Sequence, residues 1–329
     1  MDGSCHEQEE LHMGKDAGWK GFFSDDERYA DVINGIGCKG KQVVKKEDLQ
    51  EMDTQTGFLR GPKFIRKLPS LKKKNVKIRD CVRKVAFGIN FMIVGIENQE
   101  TIDYSIPLRS MSHDVGTYEK QAAKIRKEVR KNHKGLTAGE YLYGFRKDSR
   151  LYSSVTIVLY SGSKTWDGPR SLHEMLDFTD IPEEMQQMVA DYKINLVEIR
   201  KLEDTSVFKT DVRHVFDFIR YSNDKRALKQ LVENDDYYKN MEEDAFDVAV
   251  QYTNATELIE AKEYYEKEGV VDMCRALTEL IEDGREEGRD EKLKELVEKK
   301  VRKGLSVPEI AEIFEESEMT IAEIVKKLQ

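Results

Sequence analysis

Two short runs of strand-like composition, Cys81–Phe87 and Asn90–Gln99, stand either side of Gly88-Ile89. A glycine at the first central position of a two-residue turn suits a tight antiparallel hairpin. Upstream, Asp25 to Ile36 reads as a short helix stopped by Gly35, Gly37 and Gly40, and a lysine-rich loop region follows to about Lys77. Downstream, Leu108, Met111, Val115, Tyr118, Ala122, Ile125 and Val129 recur at helical spacing, so Pro107 to Lys131 is one long helix or two joined near Gly116. Two further apolar runs of strand length follow at residues 155–160 and 194–199, the first ended by Ser161-Gly162-Ser163. Strands alternating with helices predict an α/β fold, a mixed central sheet flanked by helices.

From Val212 onward the pattern is helical almost throughout. Phe216, Ile219, Leu228, Leu231, Phe246, Val250, Leu258 and Tyr265 form the predicted core of a helical appendage, whereas Ile281 to Val301 is polar enough to stand as a long exposed helix. Ser306 and Thr320 are each followed three residues later by a glutamate, the capping-box spacing, so two short capped helices are expected at the end. The expected organisation is a disordered tail over residues 1–20, an α/β domain over 21–210, a helical appendage over 211–283, and a charged helix with a helix-turn-helix over 284–329.

No apolar run among the 329 residues approaches the roughly 18 needed to cross a membrane. The polar start has no basic-then-apolar segment, so no signal peptide is read and a cytoplasmic location is the default expectation. Cys5, Cys38, Cys81 and Cys274 are scattered without a C-x-x-C pair, which argues for reduced thiols over a zinc site or a disulfide framework. Charge is uneven. Residues 231–329 carry 14 basic and 28 acidic side chains, whereas residues 1–230 carry 40 basic and 35 acidic. Between Arg60 and Lys84, eleven basic residues (among them Lys72, Lys73, Lys74, Lys77, Arg79 and Lys84) surround one acid, Asp80. Lys120, Lys124, Arg126, Lys127, Arg130 and Lys131 form a second basic stretch. Such runs neutralise nucleic-acid phosphates, although a charge run also serves simply as solvated surface.

The hairpin turn sets a register. If Gly88 and Ile89 are the loop, Phe87 faces Asn90 and Asp80 lies opposite Glu97, with Gln99 on the same face. Two carboxylates and a carboxamide would then meet at one end of an apolar strand pair, a donor set suited to Mg²⁺, which can activate water against a phosphodiester. The same spacing also fits a strand ending in solvent at Asp80 and a polar loop at Glu97-Asn98-Gln99.

At these residues the sequence resembles a known family. Arg79-Asp80, Gly95-Ile96-Glu97-Asn98-Gln99, Ile106-Pro107-Leu108-Arg109 and Tyr118-Glu119-Lys120-Gln121 look like blocks of the Rpn (recombination-promoting nuclease)/putative transposase family of the PD-(D/E)XK nuclease superfamily. Val158-Leu159-Tyr160-Ser161-Gly162, Trp166-Asp167-Gly168-Pro169-Arg170-Ser171-Leu172 and an early Phe23-Ser24-Asp25 are similar to further blocks, and the likeness covers roughly residues 20–329. The resemblance implies a restriction-endonuclease-like core and a metal-dependent DNA endonuclease that promotes recombination or transposition-like events. Asp80 and Glu97 would be metal ligands for Mg²⁺, with Mn²⁺ as a substitute, and the Asn98 carbonyl a further ligand. Gln99 falls where the wider superfamily has a lysine, so Arg79, Lys84 or Lys120 are candidates for the missing positive charge and Gln121 for an accessory role. Double-stranded DNA is the expected partner, with Lys72, Lys73, Lys74, Lys77, Arg79, Lys84, Lys120, Lys124, Arg126 and Lys127 as its contacts. The alternative is a nuclease-fold DNA-binding or assembly module with little catalysis.

Gly35 to Lys41 matches part of a phosphate-binding loop, but Gln42 replaces the Ser/Thr that contacts Mg²⁺. The terminal helix-turn-helix is rich in glutamate, so homo-oligomerisation or packing is expected of it rather than DNA reading.

Overall fold

The computed structural model describes residues 18–52, 55–58, 75–78, 81–87, 90–252, 258 and 262–328. They fall into two compact units, residues 1–228 with 243–254 and residues 229–242 with 255–329.

The first unit is built on a five-stranded sheet. Its strands are β1 (Leu49–Glu51), β4 (Cys81–Phe87), β5 (Asn90–Gln99), β6 (Ser153–Tyr160) and β7 (Asn195–Glu198), in that spatial order. β1, β4 and β5 are antiparallel neighbours, whereas β5, β6 and β7 run parallel, so the sheet is mixed as expected. Phe87 faces Asn90, and each pair back to Cys81 and Ile96 keeps the expected register. A separate antiparallel pair, β2 (Gln55–Phe58) and β3 (Asn75–Ile78), lies in what the sequence reads as loop. β1 also escapes a sequence reading, because three residues at a sheet edge carry almost no alternation.

Helices cover both faces. Asp25 caps α1 (Asp26–Val32) by accepting from the Glu27 and Arg28 amides. On this side the Tyr29 hydroxyl donates to the Val94 carbonyl at 2.8 Å, and the Arg83 guanidinium pairs with Asp26 at 2.8 Å. Alternation places Gly95, Glu97 and Gln99 on the opposite face with their neighbours Thr156, Val158 and Tyr160. There α2 (Ile106–Lys131) lies over the sheet, Ile106 packing with Val158, Tyr160 and Trp166. α2 is unbroken, and Gly116 is buried within it rather than marking a joint.

Two boundaries differ from expectation. Trp19, placed by sequence in a tail, is 1% exposed and stacks on Phe23 with ring centroids 5.2 Å apart. Helices α4 (Val212–Tyr221) and α6 (Glu243–Val250), expected in an appendage, belong to the sheet-bearing unit, as does the loop helix α3 (Ala138–Tyr143). The physical reason is aromatic packing: Phe216 meets Trp19 and Phe208 edge-on at 6.4 and 5.0 Å. Arg28 reinforces it, bonding Asp211 through two nitrogens at 2.8 and 2.7 Å and also pairing with Asp244. Between those two helices, α5 (Lys225–Asn234) runs into the second unit.

In the second unit, α7 (Met273–Val301) ends against α8 (Val307–Phe314) and α9 (Glu318–Leu328) around Val297, Ile310, Ala311, Ile321 and Ile324. The Ser306 capping box forms, its amide donating to Glu309 at 2.8 Å. The cap expected at Thr320 does not: α9 begins two residues earlier, and Ser317 Oγ accepts from the Thr320 amide at 3.1 Å. No helix among the described residues is long and apolar enough to cross a membrane.

Candidate functional site

Glu97 lies near the carboxyl end of β5, 1% exposed, on the face under α2. Two side chains of α2 reach it, one an imidazole and one a guanidinium. His113 Nε2 is 2.7 Å from Glu97 Oε1, and Arg109 Nη2 is 3.6 Å from Oε2. Residues four apart share one face of a helix, so the Arg109 and His113 spacing converges both on one carboxylate.

The entry to α2 holds Arg109 in place. Asp103 accepts from the Ser105 amide at 2.8 Å and the Ser105 hydroxyl at 2.7 Å, while its other oxygen takes Arg109 Nη1 at 3.2 Å. Next to His113 in the chain, buried Asp114 seats the helix. Ser154 Oγ and Thr156 Oγ1 donate to its Oδ1 at 2.9 and 3.1 Å, and the Tyr192 hydroxyl to Oδ2 at 2.6 Å. A buried carboxylate is tolerable when several donors satisfy it, and these three come from β6 and the loop before β7.

The other residues singled out by sequence are dispersed. Asp80, Arg79, Lys72, Lys73 and Lys74 lie outside the described residues, as does the Lys77 side chain. Asn98 is buried and points to the face opposite Glu97, whereas half-buried Gln99 shares the Glu97 face. The Gln99 carbonyl accepts from the Ser161 amide at 2.9 Å. Lys84 is not beside Glu97. It pairs in register with Ile93, four residues or about 13 Å along the strand, and its ammonium lies 4.9 Å from the centre of the Tyr152 ring. Gln121 is a structural clamp: its amide donates to the Tyr152 carbonyl at 3.1 Å and accepts from the Tyr152 amide at 2.7 Å.

Lys120, Lys124, Arg126 and Lys127 are exposed on α2. Arg126, Lys127, Arg130 and Lys131 border a cavity of about 460 Å³. At about 1.5 Å per residue, the stretch from Lys124 to Lys131 lies about 16 to 27 Å along the helix from His113. This basic face therefore stands well apart from Glu97.

Sequence reasoning misses His113 altogether and takes Arg109 only as part of a block. The signal available is the four-residue spacing at the start of a helix that follows the Glu97 strand. Glu97 and Asn98 offer the hard oxygen donors Mg²⁺ takes, yet among the described residues no group of three His, Cys, Asp or Glu side chains could hold a metal ion. No protein-family profile, curated protein or solved structure matches the chain.

Proposed function

We propose that this chain is a Mg²⁺-dependent DNA endonuclease with a restriction-endonuclease-like core, akin to the Rpn nucleases, whose cleavage promotes recombination or transposition-like events. The observation that carries the reading is the buried carboxylate of Glu97, on a strand whose antiparallel register runs in the expected alignment up to Cys81. One further step of that register would set Asp80 opposite Glu97. Asp80, Glu97 and the Asn98 carbonyl would hold the metal, which would supply charge to polarise a phosphoryl oxygen and acidify a water. Gln99 would sit near that water, and Arg109, half-exposed beside Glu97, would face the negative charge that builds on the phosphate during attack. The exposed lysines and arginines of α2 would hold duplex backbone at a distance.

One observation favours the second reading, a DNA-binding module with little catalysis. Arg109 and His113 already converge on Glu97, and Gln99 brings no charge of its own. The test is incubation of supercoiled plasmid with Mg²⁺ or Mn²⁺ beside Asp80→Ala, Glu97→Gln and an EDTA control, folding being checked by circular dichroism. Nicking by the unmodified chain alone supports the nuclease. Salt-sensitive DNA retention without nicking in any preparation supports the binding module, and equal cutting by both variants overturns the assigned site.

A further inference from the structure

A second polar cavity opens at the carboxyl ends of β6 and β7, where open α/β sheets characteristically take ligands. It measures about 260 Å³, and Lys164, Arg200, Lys201 and Arg220 line it against the single carboxylate of Glu198. That carboxylate is already engaged: Arg170 and Lys201 each approach it at 2.6 Å. Arg220 is paired with Asp217 at 2.8 Å. Among the described residues, Arg200 and Lys164 form no ion pair.

Arg200 is the anchor of the cavity. Its Nε donates to the Ser161 carbonyl at 2.8 Å and its Nη1 to Ser222 Oγ at 2.9 Å and to the Ile219 carbonyl, so the guanidinium is rigidly placed. Among the described residues no carboxylate forms an ion pair with it, and Nη2 has no protein acceptor. Burial pushes its pKa down from the ordinary arginine value, with Tyr252, Glu100 and Tyr160 opposing the shift. A fixed, half-buried guanidinium without an ion-pair partner gains from an anion that brings its own charge.

The loop after β6 adds donors. The Ser161 amide is bonded to Gln99 and the Trp166 amide to Glu198, but none of the four amides from Gly162 to Thr165 meets a protein acceptor among the described residues. All four residues line the cavity. Gly162 is required there, since a Cβ would lie 2.2 Å from the Glu100 carbonyl oxygen. Successive free amides beside fixed cations are how proteins cradle phosphate.

We propose that this cavity binds a phosphoryl group, with Arg200 as its anchor and Lys164 as its outer clamp. The group belongs either to a nucleic-acid strand or to free phosphate. The inference is independent of hydrolysis at Glu97, which lies on the neighbouring strand β5.

Calorimetric titration at constant ionic strength tests it, using inorganic phosphate in one arm and the dinucleotide dTpdT in the other. The unmodified chain should bind saturably in at least one arm. Phosphate alone identifies the free anion, and dTpdT identifies the strand. Lys164→Gln, on an exposed residue without side-chain bonds, should keep the unfolding temperature and weaken binding about fivefold or more. Arg200→Lys should weaken it further, and Glu97→Gln should leave it unchanged. No binding in either arm, or equal affinity in Lys164→Gln and Arg200→Lys, overturns the proposal. Loss of nicking in Glu97→Gln with phosphate binding intact separates the two sites.

Discussion

His113 Nε2 lies 2.7 Å from Glu97 Oε1, and each side chain is 1% exposed. At this depth neither group can turn to water, and each is a close polar neighbour of the other. Removing His113 leaves Glu97 buried with the longer 3.6 Å approach of Arg109, a loss of about 1–3 kcal/mol. His113→Ala should therefore lower the urea midpoint sharply. The doubly apolar variant Glu97→Leu/His113→Leu should lose less than the sum of the single changes, and a double-mutant cycle in urea showing simple additivity would sink the idea.

Arg109 is different, because 37% of its side chain is exposed and part of its charge faces solvent. Replacing it should cost stability only on the scale of a surface pair, under about 1 kcal/mol. If it faces charge on a scissile phosphate, Arg109→Ala should slow nicking by about 10²–10³-fold, with Arg109→Lys partly restoring the rate. Unaltered nicking by Arg109→Ala in a plasmid assay would remove it from the mechanism.

The β4–β5 pairing is legible in the sequence because a two-residue turn with glycine at its first position leaves one register, and each wrong step would turn an apolar face to solvent. Glu97 is legible for the same reason. His113 is not, because its role depends on how α2 docks over the sheet, and that docking is set by Asp114 reaching Ser154, Thr156 and Tyr192 far along the chain. The membership of α4 in the first unit is hidden likewise: Phe216 reads as apolar whichever core it joins, and its contacts with Trp19 and Phe208 decide.

Asp114 offers a direct test of that docking. Three hydroxyls donate to it, so Asp114→Ala strands donors in a buried layer and should cost about 3 kcal/mol. Asp114→Asn keeps an acceptor and should cost less. Chemical denaturation of both variants checks the order, and an equal loss in the two would show that the carboxylate is not the seat of the helix.

In the second unit, Ile321 is fully buried between α7, α8 and α9. Ile321→Ala should destabilise that unit by about 2–5 kcal/mol. Hydrogen exchange should report the loss in residues 293–328 while amides of β5 and β6 keep their protection. Equal loss of protection in both units would show that they unfold together.

Tyr252 carries a pH dependence. Burial pushes its hydroxyl up to about 12, although bonds from Ser161 and Trp19 oppose the shift. An unfolded tyrosine ionises near pH ~10. Below that value both states keep the proton and pH has no effect through this group. Between about 10 and 12 the unfolded chain releases it while the folded chain retains it, so the folded state binds more protons and stability falls as pH rises. Above the folded value no further loss arises here. Tyr252→Phe should start less stable at pH 8, having lost two hydrogen bonds, yet decline less steeply from pH 10 to 11.5. Urea midpoints at those three pH values decide it, and parallel slopes for the two proteins would show that Tyr252 is not the group responsible.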